Sequence, residues 1–313
     1  MKKIMTEKFQ KIPTIILTGF LGAGKTTLLN RLIERYRSQR TVLLINEFGQ
    51  IGIDGELLVA GNYTKIELNK GSLFCICVRT DFIFEVEKIA RDIQPELLII
   101  EATGLADTSE MEKMLALPNL IDKIHLQSCV CLVDCVTFPK IKNTLRAPLT
   151  QIEHADLILV NKIDLVPTEH VQQVIAAVKA IAPATPIITT RYADFHLAEL
   201  DRFNRPAANV TEAPGEGRPD LVVSITLAGA GSFTNESWEK FRDLLQPQIL
   251  RLKGFLTINW QTYHVDATFE QWELRPTTII NPNVNRLVVI GQNLDEDKIK
   301  TFFSQQIKPG QRI

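Results

Sequence analysis

The segment with the clearest chemical role in this 313-residue chain is GFLGAGKTT, residues 19–27. Gly19, Gly24, Lys25 and Thr26 match the pattern G-x-x-x-x-G-K-[ST], between an apolar run and a helical pattern. Glycines let a backbone turn tightly with its N–H groups facing inwards, and the following helix adds its positive end. The segment is therefore predicted to hold the phosphates of a nucleoside triphosphate. The alternative is a glycine-rich corner without a ligand.

Each position of this turn has an expected part in binding. The ammonium of Lys25 is expected to reach the β- and γ-phosphates, and the hydroxyl of Thr26 to ligate Mg²⁺. The backbone N–H groups of the turn complete the cradle. The nucleotide contacts predicted here are Gly19, Gly22, Ala23, Gly24, Lys25, Thr26 and Thr27.

A second polar group, LVNKIDL, follows an apolar run further along the chain and supplies Asn161, Lys162 and Asp164. A buried carboxylate at Asp164 would accept hydrogen bonds from guanine N1–H and its exocyclic amine, which adenine does not offer. We therefore expect GTP rather than ATP, and an ATP-dependent nucleotide kinase is the disfavoured reading. The alternative is an ordinary loop with Asp164 as a helix cap. The segment TTRYAD, residues 189–194, is a candidate second wall of the base pocket.

Two acidic residues compete for a place beside the magnesium. Glu101 ends the apolar run ELLIIEATG, and Asp134 ends CVCLVD. Both would lie at the carboxyl edge of a parallel sheet, where ligands bind in such folds. Gly104, three residues after Glu101, is placed to donate its N–H to the γ-phosphate. Either carboxylate could instead cap a helix.

The glycine-rich segment NEFGQIGIDG, residues 46–55, lies where a segment ordered by the γ-phosphate is expected. Its acidic residues are Glu47 and Asp54. The residue that orients the attacking water is left open among Glu47, Asp54 and Glu101. Hydrolysis itself needs mainly positioning and charge stabilisation, to which Lys25 and Thr26 contribute.

Alternating apolar runs and amphipathic stretches fill the first two hundred residues. The apolar runs TIILTG, TVLLINE, ELLIIEATG, CVCLVD, DLILVNK and TPIITT have the continuous Val/Ile/Leu character of buried parallel strands. Helical patterns such as residues 25–40 and 169–182 lie between them. This alternation predicts an α/β fold with a doubly wound, mostly parallel sheet, and with the glycine-rich turn it predicts a P-loop NTPase domain over residues 1–201.

A proline-, glycine- and charge-rich stretch, residues 202–219, interrupts this pattern and is predicted to be a linker. Residues 220–313 then mix strands with helices, among them a helix over NESWEKFRDLLQPQILRL, residues 235–252, and a final one near 295–307. This mixture predicts a smaller C-terminal α+β domain with an antiparallel sheet.

Bulk composition excludes several classes of protein. The formal net charge of −1 gives no reason to expect a nucleic-acid or membrane partner, and no apolar run is long enough to span a membrane. Five cysteines, an odd number in a chain with ample core, favour reduced thiols or metal ligands over disulfides. We therefore expect a cytoplasmic protein.

Together these segments resemble the CobW-type P-loop GTPases, relatives of the urease and hydrogenase maturation GTPases. The resemblance is carried by TGFLGAGKTTLLN, NEFGQIGIDGELL, EATGLAD and VNKIDL, and in the C-terminal part by LRLKGFL and RLVVIG. It implies a GTPase domain joined to a smaller C-terminal domain. It also implies that Glu101 is the acidic residue of the magnesium site, and that Glu47 and Asp54 lie in the first switch segment.

Two features depart from the family pattern. The family usually carries G-C-x-C-C before the next helix, where this chain reads KGSLFCICVRTDF, so that Cys75 and Cys77 are the two cysteines present. On a strand, this C-x-C spacing would direct both sulfurs to one face, as a partial Zn²⁺ or Co²⁺ site requires. The alternative is that both are small buried hydrophobic residues. The histidine-rich linker of many family members is absent, since His196 stands alone before the linker.

The resemblance implies Mg²⁺-dependent binding and hydrolysis of GTP coupled to delivery of Zn²⁺ or Co²⁺ to a client metalloprotein. The alternative is a GTP-dependent protein-binding switch without metal cargo. The incomplete cysteine motif and the absence of a histidine-rich linker favour this alternative. A homo-oligomer is compatible with the sequence.

Overall fold

The computed structural model describes residues 11–46, 61, 63–68, 76–206, 222–246, 248–269, 271–277 and 284–307. These residues form two compact units, one ending at residue 206 and the other beginning at residue 222. Each unit has its own hydrophobic core, and each is described separately below.

The strands of the first unit are β1 Ile12–Gly19, β2 Thr41–Asn46, β3 Tyr63–Leu68, β4 Leu97–Glu101, β5 Ile124–Asp134, β6 Leu157–Asn161 and β7 Ile187–Thr189. Among the described residues they form one seven-stranded sheet in the order β3-β2-β4-β1-β5-β6-β7, and every pairing is parallel. The predicted parallel α/β sheet is confirmed. β3 was not predicted, because its exposed polar residues interrupt the apolar pattern.

Helices cover both faces of this sheet. They are α1 Lys25–Arg35, α2 Ile76–Lys88, α3 Thr108–Leu115, α4 Phe138–Ile141, α5 Ala147–Glu153 and α6 Thr168–Ile181. Successive residues of β1 point to opposite faces. Ile15 and Leu17 pack with α1, whereas Ile16 packs in the cluster that contains residues of α2 and α3. Burying each such side chain contributes about 1.5–3 kcal/mol, which explains the continuous apolar character of the strands.

Parallel strands place their carboxyl ends along one edge of the sheet. Gly19, Glu101, Asp134 and Asn161 are the last residues of β1, β4, β5 and β6, which are neighbours in that sheet. The register pairs Leu17 with Glu101 and Asp134 with Asn161. The polar positions selected from the sequence therefore lie along one edge, where open α/β sheets bind ligands.

The second unit contains β8 Val223–Ala230, α7 Asn235–Leu245, β9 Ile249–Ile258, β10 Gln261–Thr268, β11 Gln271–Pro276, β12 Val284–Gly291 and α8 Glu296–Gln306. Its strands form an antiparallel sheet, ordered β11-β10-β9-β12-β8 within the described ranges. The two helices pack on it through an aromatic cluster in which the ring centroids of Phe233, Phe241 and Phe303 are 5.7 Å apart pairwise. The predicted α+β character is confirmed.

The helix predicted over residues 235–252 is only partly correct. α7 ends at Leu245, and β9 begins at Ile249. Pro247 lies between the two, and proline neither donates a backbone hydrogen bond nor favours helical conformation in the residue before it. The apolar residues after it pair in the sheet, with Leu252 opposite Ala267 and Val289.

None of the helices in the described part of the chain combines the length and the apolar character that a bilayer crossing demands.

Candidate functional site

The glycine-rich turn between β1 and α1 has a backbone that only glycine adopts readily. Gly19 and Gly24 have φ values of +135° and +108°. A Cβ on Gly19 would lie 2.4 Å from the carbonyl oxygen of Leu132, and a Cβ on Gly24 2.6 Å from Nδ2 of Asn161. The turn therefore lies against β5 and β6 with no room for side chains. The conformation is the one expected of a phosphate cradle.

Lys25 lies within this turn rather than in solvent. Its side chain is buried, and Nζ donates hydrogen bonds to the carbonyl oxygens of Gly19 at 2.9 Å and Phe20 at 3.3 Å. The ammonium is thus held at the turn whose N–H groups are expected to hold phosphate. Thr26 follows as a half-buried residue in the first turn of α1, while Thr27 is exposed.

The two acidic candidates differ in what surrounds them. Both oxygens of the buried Asp134 are engaged: Oδ2 accepts from Nζ of Lys162 at 2.8 Å, and Oδ1 from the backbone N–H of Val136 at 2.8 Å. Glu101 is buried at the end of β4, directly beside β1 and its glycine-rich turn. A carboxylate next to the phosphate turn suits a magnesium site, whereas Asp134 is committed to orienting Lys162.

Asn161 joins the phosphate turn to the segment after β7. Its buried amide donates from Nδ2 to the carbonyl of Ala23 at 2.9 Å. Its Oδ1 accepts from the hydroxyl of Thr190 at 3.0 Å and from the N–H of Ala193 at 2.9 Å. The segment TTRYAD, a weak signal in the sequence, is therefore fixed through Asn161 next to residues 161–164. Arg31 of α1 holds the same segment by donating to the carbonyl of Tyr192 at 3.0 Å.

The expectation that Asp164 is buried is wrong. Asp164 is exposed, in a short 3₁₀ helix, Ile163–Leu165, that follows β6. The reason is local: Lys162 takes a left-handed conformation with φ of 62°, which turns the chain out of the sheet edge. Its carboxylate is accessible from solvent, and its part in selecting the base stays a prediction.

The loop between β4 and α3 brings Gly104 to the phosphate turn. A Cβ on Gly104 would lie 2.4 Å from Cδ2 and 2.6 Å from the backbone nitrogen of Leu21, so the two segments touch. From the other side, Gln151 of α5 donates from Nε2 to the carbonyls of Gly104 and Ala106, at 3.2 Å each. Gln151 was not among the predicted site residues, because a single glutamine in an amphipathic helix gives no signal.

The predicted cysteine site lies largely outside the described residues. Glu47, Asp54 and Cys75 are not among them, and Cys77 is described only by its backbone. That backbone belongs to α2 rather than to a strand, so the strand geometry considered for the C-x-C pair does not apply to Cys77. The described part of the chain contains no cluster of three or more His, Cys, Asp or Glu residues suited to a metal.

The other three cysteines lie in the core. Cys129, Cys131 and Cys135 are buried free thiols at or just after β5. Burial raises the pKa of Cys131 to about 12 and that of Cys135 to about 11. Thiols of this kind stay protonated near neutral pH and are poor metal ligands.

Sequence comparison matches both units to known families. The CobW/HypB/UreG nucleotide-binding domain matches residues 13–189. The cobalamin synthesis protein CobW C-terminal domain matches residues 222–306.

Individual relatives resemble the chain over different lengths. "Zinc chaperone YjiA" of Escherichia coli is 30% identical, covering 94% of this chain and 98% of the relative. "Zinc chaperone CobW" of a Sinorhizobium species is 28% identical, covering 93% and 96% respectively. "Zinc-regulated GTPase metalloprotein activator 1" of Dictyostelium discoideum is 28% identical, and the match covers 63% of this chain but only 50% of the relative's length.

Proposed function

Because the chain belongs to the CobW/HypB/UreG family, with a CobW C-terminal domain, we propose that it hydrolyses GTP in a Mg²⁺-dependent reaction and couples this to delivery of a metal ion, Zn²⁺ or Co²⁺, to a client protein in the cytoplasm. The GTPase part of this proposal rests on the connection between the phosphate turn and the predicted base site. The turn containing Lys25 and the segment beside Asp164 are linked through Asn161. A single GTP molecule would place its phosphates in the turn and its guanine beside Asp164.

Each residue has a defined part in this proposal. The N–H groups of Gly22, Ala23, Gly24, Lys25, Thr26 and Thr27 bind the phosphates, with Gly19 starting the turn. The Lys25 ammonium exchanges its carbonyl partners for phosphate oxygens. Lys162 is held by Asp134 and lines the base site next to Asp164. Gly104 donates its N–H to the γ-phosphate.

The residues of the phosphate turn also fit a magnesium ion. The hydroxyl of Thr26 and the carboxylate of Glu101 would hold it, as hard oxygen ligands that Mg²⁺ prefers. The ion supplies neutralisation of charge on the transferred phosphoryl group. Lys25 and the backbone N–H groups stabilise the remaining charge, so no covalent intermediate with the protein is needed. Glu47 remains a candidate for orienting the attacking water.

Metal delivery is supported by the relatives, two of which are named zinc chaperones and one a zinc-regulated GTPase metalloprotein activator. These names weigh against a switch without cargo, despite the incomplete cysteine motif. Cys75 and Cys77 are the proposed cargo ligands, together with groups still to be identified. Zn²⁺ is a borderline-soft ion, and thiolates suit it.

The proposal is tested by measuring GTP hydrolysis and bound zinc on the full-length protein. We expect Mg²⁺-dependent phosphate release, and zinc binding whose stoichiometry or affinity differs between GDP and a non-hydrolysable GTP analogue. Cys75→Ser/Cys77→Ser should lose the zinc and keep nucleotide binding. Cys129→Ser, at a buried core thiol, is the matched control and should keep the zinc. If the double variant binds zinc as well as its parent, the cargo site is wrong. If no phosphate is released, the GTPase assignment is wrong.

A further inference from the structure

Gln151 is a buried amide at the back of the γ-phosphate loop. It lies on α5 with 1% of its surface exposed. Its Nε2 donates to two carbonyls, those of Gly104 and Ala106, which are 47 and 45 residues away in sequence. The contact is therefore a tertiary one. A buried side-chain amide with two loop carbonyls as acceptors restricts the orientation of both peptide groups.

The loop that Gln151 holds, residues 102–107, is enclosed from two sides. On one side Gly104 lies against Leu21 of the phosphate turn, closer than any side chain would allow. On the other side Gln151 binds its carbonyls. Within the loop, Ala106 donates to the carbonyl of Thr103 at 3.0 Å, forming a tight turn. The direction of the Gly104 N–H therefore depends on what fixes this turn.

We propose that Gln151 is a positioning residue for the γ-phosphate: by anchoring the carbonyls of Gly104 and Ala106, it holds the Gly104 N–H towards the terminal phosphate of GTP. This inference rests on the GTPase function proposed above. Gln151 acts through the carbonyls of the loop, so its effect should be specific to the phosphate that the loop contacts. GDP lacks that phosphate. Loss of Gln151 should therefore weaken GTP binding and turnover more than GDP binding.

The test compares wild type with Gln151→Met, which keeps length and volume but removes the amide donors. We expect affinity for a non-hydrolysable GTP analogue to fall about tenfold, the effect of one to two lost hydrogen bonds, with GDP affinity within about twofold. The kcat for GTP should fall with it. Equal loss for both nucleotides would show a merely structural role, and no loss for either would show no role; both results overturn the proposal.

The matched control is Ile152→Val, which trims the next buried residue of α5 without changing a hydrogen bond. It is expected to lower the stability slightly and leave the ratio of GTP to GDP affinity unchanged. If Gln151→Met does not fold, amide hydrogen exchange on the wild type decides the matter. Residues 104–106 and α5 around Gln151 should gain protection with the GTP analogue and not with GDP. Equal protection overturns the proposal.

The wild-type measurements separate this inference from the proposed function. A wild type that neither binds nor hydrolyses GTP overturns both. A wild type that hydrolyses GTP, beside a Gln151→Met variant with an unchanged GTP-to-GDP ratio, overturns only the role of Gln151.

Discussion

Asn161 and Asp164, three positions apart, are both polar residues of the same motif but have opposite environments. Asn161 is buried and uses both ends of its amide to join the phosphate turn to the segment after β7. Asp164 is exposed and faces solvent. Asn161 therefore holds these two segments together, and Asp164 is accessible to a ligand.

This difference leads to a prediction for Asp164→Asn. Asn keeps one acceptor oxygen but carries an NH₂ donor in place of the other, so guanine N1–H and the exocyclic amine can no longer both be paired, and GTP affinity should fall about tenfold or more, the value of a charged hydrogen bond. Xanthosine triphosphate, which carries a carbonyl in place of that amine, should bind the variant better than it binds the wild type. Titration calorimetry with each nucleotide and Mg²⁺ measures both effects.

Glu169→Gln is the control for Asp164→Asn, because it removes another exposed carboxylate, at the start of α6. GTP affinity should be unchanged in this variant, and the melting temperature unchanged in both. If Asp164→Asn still prefers GTP over xanthosine triphosphate by the wild-type ratio, Asp164 does not read the base.

Among the elements, α3, α5 and β6 are joined by a cluster of ionisable side chains, Glu112, His154, Asp156 and Arg205. Arg205 donates from Nε to Asp156 at 2.7 Å and from NH1 to Glu112 at 2.6 Å. His154, just after α5, contacts Glu112 through Nδ1 at 3.0 Å. Asp156, just before β6, also accepts from the backbone N–H of Cys129 at 2.6 Å. All four side chains are at least half-buried, so each depends on its partners.

The cluster predicts a pH-dependent part of the stability. The hydrogen bond to Glu112 raises the pKa of His154 above its ordinary value, in spite of the opposing effect of burial. Protonated His154 therefore stabilises the fold fully below about pH 6.5, and this contribution is lost as the pH rises through the higher folded-state pKa. Between pH 6 and pH 8, the free energy of unfolding in urea should fall more for wild type than for His154→Gln. The difference between the two proteins should be less than about 1 kcal/mol, because the pair is partly exposed.

Glu112→Gln provides the second half of a double-mutant cycle. Without the carboxylate, His154→Gln should no longer alter the pH dependence. If His154→Gln still alters the change in unfolding free energy between pH 6 and pH 8 in the Glu112→Gln background, the contact with Glu112 does not cause that effect.

The elements that the sequence predicted correctly are those whose pattern reports burial directly. β1, β4 and β6 are continuous apolar runs and lie within the sheet. β3 has two exposed and four partly buried residues, β11 has five exposed ones, and neither strand was predicted. The predicted helix over 235–252 followed apolar periodicity through Pro247, although the helix ends at Leu245. Patterns identify cores better than edges, since exposed strands owe their conformation to pairing with neighbours.

The same distinction applies to the site. Lys25, Thr26, Asn161 and Asp164 could be selected as candidates because a fixed spacing encodes their chemistry, and their roles stay predictions. The hydrogen bonds of Gln151 and the ion pair between Lys162 and Asp134 were not, because they depend on how distant elements pack. The burial of Asp164 was wrongly expected, since the motif does not encode the left-handed turn at Lys162.

At the scale of the whole molecule, the chain offers a separate optical probe for each unit. All three tryptophans, Trp238, Trp260 and Trp272, lie in the second unit, and the first unit has none. Tryptophan fluorescence therefore reports unfolding of the second unit, whereas calorimetry reports both. Since each unit has its own core, we expect their unfolding to be separable.

Nucleotide should stabilise only the unit that binds it. At a hundredfold excess over Kd, a GTP analogue with Mg²⁺ adds about 2.7 kcal/mol, which raises a transition of this size by roughly 5–10 °C. We expect this shift in one calorimetric transition and not in the tryptophan signal. ATP serves as the nucleotide control and should shift neither. An equal shift in the tryptophan signal would show that the two units unfold together.

Arg205 also bears on where the chain can be cut. It stands beyond the 3₁₀ turn Leu197–Arg202, yet its guanidinium completes the ionic cluster on α3 and β6. A recombinant fragment stopping at residue 201 would lack Arg205, leaving Asp156 without this ion pair and Glu112 with His154 alone, and should be less stable because both carboxylates are partly buried. A fragment ending at residue 206 retains it. Anyone isolating the nucleotide-binding half for crystallisation should therefore place the stop codon after Pro206.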